Sequence, residues 1–104
     1  MFCIKALATQ LIDRSSYPEI VLCEIVDTNG CKHQFIEKWS MVSTEKFENI
    51  FPKECEIDCV ILEERATSYV VYTEQPWYIE STEGKTIFEI NKNLLIEKAS
   101  VLKD

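Results

Sequence analysis

Glycine and proline are scarce in this chain, two and three among 104 residues, so each one carries information about where the backbone turns. The chain has a single histidine, His33, and no C-x-x-C spacing among its five cysteines. No Gly-rich phosphate loop, nucleophile elbow or carboxylate–histidine metal spacing is present, which speaks against an enzyme and predicts neither cofactor nor metal. No apolar run approaches the ~18 residues a membrane span requires. The first eight residues, Met1 to Ala8, are interrupted by Lys5 and followed by Thr9 and Gln10. A secretory signal would need ~7–15 unbroken apolar residues there, so a cytoplasmic protein is expected. Basic residues are the minority, 11 against 18 acids, for a net charge of −7 and an isoelectric point near 4.7. Such a chain repels phosphate backbones, and neither nucleic acid nor an anionic membrane is an expected partner.

What is present is an ordinary globular mixture, 46% hydrophobic and 28% charged. The length suits one domain over residues 1–104, large enough to bury more than ~60% of its unfolded surface without metal or disulfide staples. Two-residue periodicity dominates, the mark of strands with one face inward. Phe2–Ile12 reads as a first strand, Glu19–Asp27 as a second and Cys31–Trp39 as a third.

The turn between the second and third strands fixes their register. A two-residue Asn29-Gly30 loop would set Glu24 against Phe35 and Leu22 against Glu37. A three-residue loop with Gly30 in the left-handed bulge position pairs Asp27 with Cys31 instead. Ile25 then faces His33, Cys23 faces Phe35 and Val21 faces Glu37, while Glu24 with Gln34 and Val26 with Lys32 share the other side. The bulged turn sorts polarity better and is the predicted one, since a one-residue slip would invert every side chain.

Ser40–Phe51 breaks the alternation. Ser43 or Thr44 is placed to cap a short helix carrying Phe47, Ile50 and Phe51, and Pro52 would end it. Residues 54–64 then alternate, with Cys55, Ile57, Cys59 and Ile61 on one face and Glu56, Asp58, Val60, Leu62 and Glu64 on the other. Further strands are predicted at Ser68–Glu74, Trp77–Glu80 and Lys85–Ile90, with a positive φ at Gly84. The tail Asn91–Asp104 is a final strand or a helical turn. The fold class is all-β, mainly antiparallel: a small barrel or sandwich of six to seven strands with one short helix.

His33 invites a catalytic reading because the register puts it on the face of Glu37. Four residues along a strand separate their Cα atoms by ~13 Å, too far for a hydrogen-bonded pair, so a structural histidine at a strand end is the preferred reading. Cys55 and Cys59 are separated by the same ~13 Å, which rules out a mutual disulfide. Cys3, Cys23, Cys31, Cys55 and Cys59 are read as free thiols acting as small hydrophobes. Glu37, if enclosed, needs a partner such as Lys5, Lys38 or a helix N-terminus.

Charge distribution is the sharpest feature. Residues 54–89 hold nine acids against two bases, a balance of −7 that equals that of the whole chain. Tyr69, Tyr72, Trp77 and Tyr78 are interleaved with these acids. Carboxylates speed encounter with a basic protein, and Tyr or Trp can anchor the contact. Glu54, Glu56, Asp58, Glu63, Glu64, Glu74, Tyr78 and Glu80 are therefore the candidate partner-binding residues. The competing reading is a solvated face that keeps the chain in solution. In that reading the aromatics lie in the core; for Trp77 itself, packing across the barrel end is preferred to a recognition role, and Tyr78 on the opposite face would then be exposed.

The segments Asp27–Lys38, Cys55–Cys59 and Thr73–Gly84 with Phe88-Glu89 resemble a scattered family of small bacterial proteins, the Pro76-Trp77…Glu80-Ser81…Glu83-Gly84 block being the most distinctive part. The resemblance implies no catalytic residues. In size, acidity and cytosolic character the chain is also similar in type to immunity proteins of bacterial toxin systems, contact-dependent inhibition included. That likeness implies a basic partner, most concretely a nuclease toxin, whose active site an acidic protein occludes. The alternatives are a small-ligand-binding β-barrel, which the large inward residues Ile25, Phe35, Ile57 and Ile61 disfavour, and an orphan structural domain.

Overall fold

Inward residues at every second position draw the chain into seven strands around one core. The structure, a computed structural model, describes residues 1–13, 15 and 17–98. Strands β1 (Phe2–Asp13), β2 (Ile20–Val26) and β3 (Lys32–Lys38) lead to a single helical turn, α1 (Trp39–Val42). Strands β4 (Lys53–Glu64), β5 (Ser68–Tyr72) and β6 (Ile87–Asn91) follow, then a 3-10 turn at Lys92–Leu94 and a short β7 (Leu95–Glu97). The order across the sheet is β3-β2-β1-β4-β5-β6, with β7 paired to β1, and every pairing is antiparallel.

The sheet curls into a half-barrel. Its edge strands β3 and β6 meet through the Phe88 ring, 4.9 Å from His33 and 5.6 Å from Phe35. The Thr28 amide donates to the Glu89 carbonyl at 3.0 Å, and the Thr82 amide to that of Gln34 at 2.7 Å. Ile4, Ile25, Phe35, Ile57, Ile79 and Ile90 are among the largest fully buried side chains, so branched and aromatic residues fill the interior.

The β2–β3 hairpin adopts the bulged register: Ile25 faces His33, Cys23 faces Phe35 and Val21 faces Glu37. Gly30 has φ 78°, and the Asp27 amide donates to the Cys31 carbonyl at 2.9 Å. On β4, Cys55, Ile57 and Cys59 are buried as the alternation requires, until a bulge between Ile61 and Glu63 shifts the pairing with β5.

Three expectations need correction. The helix lies at Trp39–Val42, not over Ser43–Phe51. Ser43 ends it, and its hydroxyl accepts the Glu45 amide. Phe47 and Phe51 reach the core from an irregular segment held by ring contacts, Trp39 to Phe47 at 5.7 Å and Phe47 to Phe51 at 6.2 Å. The helical spacing of Phe47 and Phe51 thus marked a hydrophobic plug, whereas Ile50 is 67% exposed. Secondly, Trp77–Glu80 forms no strand. The chain doubles back after Tyr72, the Ile79 amide donates to the Thr73 carbonyl, and Tyr78 has φ 54°, which no extended strand accommodates. Thirdly, the tail contains both a 3-10 turn and a strand; its residues 99–104 lie outside the described ones.

Candidate functional site

On the outward face of β4, period-two geometry places Glu54, Glu56 and Asp58 in one row. Across the pairing with β1 their neighbours are Leu7, Lys5 and Cys3. Lys98, just after β7, reaches this row because β7 lies along the start of β1. Its Nζ stands 3.2 Å from Glu56 and 3.3 Å from Asp58. Burial alone would lower the Lys98 pKa, but the hydrogen bond to Glu56 and the charge of Asp58 outweigh it and the net shift is upward. Beneath them the Cys3 thiol is pushed up to about 11, first by burial and then by Glu56.

Asp58 departs from the expectation of an exposed acid: it is only 9% exposed. Trp77 Nε1–H donates to its Oδ2 at 2.7 Å, so indole and ammonium together satisfy the carboxylate. Trp77 in turn is not packed across a barrel end. With its polar edge tied to Asp58 it stays 52% exposed, and Tyr78 beside it is 61% exposed.

The connection carrying them, residues 73–86, is anchored from within. Ile79 is buried, and its carbonyl accepts the Thr73 hydroxyl at 2.5 Å. The Tyr78 amide donates to the Glu74 carbonyl at 2.7 Å. A left-handed conformation at a non-glycine residue costs on the order of 1–3 kcal/mol; here these bonds hold it while the Tyr78 ring faces solvent. The Tyr72 hydroxyl donates to the Glu74 carboxylate, which raises the Tyr72 pKa. Gly84 closes the connection at φ 80°, as expected of its place in the turn, with its amide donating to the Ser81 carbonyl at 2.8 Å.

At the far end of β4 the acids are already matched. Arg65 lies 2.8 Å from Glu63 and 3.0 Å from Glu89, and Lys92 lies 2.7 Å from Glu64. The Arg65 hydrogen bond holds the Glu63 carboxyl below its usual range. Six of the nine acids in 54–89 thus have a cation within 4.0 Å: Glu56, Asp58, Glu63, Glu64, Glu83 and Glu89. Of the candidate partner-binding residues, Glu54, Glu74 and Glu80 meet no cation among the described residues, Glu74 being held by the Tyr72 hydroxyl, and Tyr78 is 61% exposed.

His33 is held between Asp27 and the Phe88 ring. Its Nε2 is 2.7 Å from Asp27 Oδ2, and Asp27 also accepts the amides of Asn29 and Cys31 at 2.8 and 3.0 Å. Burial works to raise the Asp27 pKa, yet these bonds carry it downward. Glu37 meets no cation within 4.0 Å among the described residues; its carboxyl is raised by burial, against a smaller pull from Lys38. Cys3, Cys23, Cys55 and Cys59 are buried free thiols and Cys31 is exposed. Among the described residues no three His, Cys, Asp or Glu side chains converge where a metal ion could sit, and no helix is long and apolar enough to cross a membrane.

The Trp77–Asp58 bond and the return of Lys92 and Lys98 to the acidic segment escaped sequence reasoning. Lys98 is 40 positions from Asp58, and only the β7–β1 pairing brings them together; no local pattern announces it. Comparison with protein-family models, with curated proteins and with solved structures finds no match to this chain.

Proposed function

We propose that this protein is a non-enzymatic acidic binding protein that docks a basic protein through the outward face of β4 and the adjoining residues 74–80. Its most concrete form is an immunity protein that occludes the active site of a nuclease toxin in the cytoplasm. The observation that carries the reading is the pair of displayed aromatics, Trp77 and Tyr78, fixed beside carboxylates. Trp and Tyr are enriched where contact energy concentrates. An indole tied to Asp58 at its nitrogen and open on its face is already ordered before a partner arrives, which lowers the entropy cost of binding. Glu54 and Glu80, free of cations, would steer a positively charged surface toward those rings.

The geometry also selects the variants. Replacing Asp58 would leave Trp77 and Lys98 without their partner, so a loss of binding there would be confounded with unfolding. Glu54→Lys with Glu80→Lys alters charge where no ion pair among the described residues is broken. Capture from an extract of the producing cells at ~50 and ~300 mM salt should recover one basic protein, more weakly at the higher salt as screening shortens the field. The double variant should lose it while melting like the parent. A loose set of basic proteins released together, or capture unaffected by the double variant, would remove this face from the account.

A further inference from the structure

The sheet is interrupted beside β1. On one edge β1 pairs continuously with β4 from Phe2 to Ala8. On the other, β2 pairs only as far down as Leu7 and β7 only as far up as Ile4. On that side neither Lys5 nor Ala6 has a paired strand residue among the described residues. Because successive residues of a strand direct their backbone groups to opposite edges, one of the two points its N–H and C=O into the gap.

A cavity of about 470 Å³ opens at this seam, within the ~300–1,000 Å³ usual for small-molecule sites. It is lined from both faces of the sheet, by outward-facing Lys5 and Leu7 and by inward-facing Ala6 and Cys55. Val26, Leu94 and Ile96 add apolar wall. The rim is charged unequally, with four carboxylates (Glu24, Glu45, Glu54, Glu56) against two ammonium groups (Lys5, Lys32). Glu24 has Lys32 at 4.0 Å and Glu56 has Lys98 at 3.2 Å. Glu45 and Glu54, like Lys5, have no ionic partner among the described residues.

From this arrangement we infer that the seam is a binding site for a small amphipathic cation, an aliphatic chain ending in an ammonium group. The chain would lie along Leu7, Val26, Leu94 and Ile96 and bury its methylenes. The ammonium would sit at the rim toward Glu54 and Glu45. An aliphatic carboxylate of equal length would fill the same wall but meet a rim of its own sign. The site shares Glu54 and Glu56 with the partner-binding reading, whereas Trp77, Tyr78 and Glu80 do not line the cavity.

The test titrates the isolated protein with n-octylammonium and, separately, with octanoate, following backbone amide resonances by NMR. Saturable shifts confined to Lys5–Leu7, Ile25–Val26 and Leu94–Ile96 are expected, with octylammonium binding about tenfold tighter than octanoate. Glu54→Gln should narrow that preference. Ala6→Phe should abolish binding by filling the seam; should it fail to fold, Leu7→Trp closes the cavity from the solvent side. Equal affinity for the two probes, unsaturable shifts spread over Glu63, Glu64 and Glu80, or wild-type affinity in a folded seam-filling variant would each overturn the proposal. No protein partner takes part, so its failure leaves the docking reading untouched, and the reverse holds.

Discussion

At Glu37, burial holds a carboxyl above its ordinary range with only a small opposing pull from Lys38. The folded chain therefore binds that proton more tightly than the unfolded chain does. Stability from this group is fully present below the unfolded carboxylate range and is lost as pH rises through the raised value. Glu37→Gln stays neutral throughout, so it should raise the melting temperature at pH 7. Near about pH 4, where the native carboxyl is mostly protonated, it should change little. An equal shift at both values would show that the side chain acts through packing. The position of His33 opposite Ile25 was legible from the hairpin register. Its partner was not, because Asp27 reads in sequence as a turn residue and only the bulged turn brings its second oxygen to the imidazole, at 2.7 Å.

Elements with strict alternation were read correctly because periodicity and polarity agree along them. The β2–β3 hairpin is the clearest case, since two candidate registers sorted the same residues differently and Gly30 suited one of them. Residues 43–51 and 77–80 were misread for a common physical reason. Both place apolar side chains into the core from irregular backbone, and local spacing does not distinguish a plug from a helix or strand. Ile79 is such a plug, buried within the connection that displays Trp77 and Tyr78. Ile79→Ala should cost about 2–4 kcal/mol in chemical denaturation and speed hydrogen exchange of the Tyr78 and Ile79 amides. Ile87→Ala removes the same atoms from an exposed site on β6 and should stay within about 0.5 kcal/mol. Similar losses for both would deny Ile79 its anchoring role.

On the scale of the whole molecule the curled all-β architecture followed from strand count and length, whereas the charge map did not. Counting along the chain made residues 54–89 the seat of the whole net charge of −7. Folding returns Lys92 and Lys98 to that segment, so that among the described residues only Glu54, Glu74 and Glu80 of its candidate acids lack a cation. The account thus rests less on bulk acidity than on where the aromatics stand. Site-specific photo-cross-linking in the producing cells tests that most directly, with a benzophenone side chain in place of Tyr78 and, as control, in place of Tyr17. Tyr17 is 93% exposed and lies in the β1–β2 connection, away from the β4 row. A single basic protein cross-linked from position 78 and absent from position 17 is the predicted result. The same products from both positions, or none from position 78, would contradict a docking face at β4.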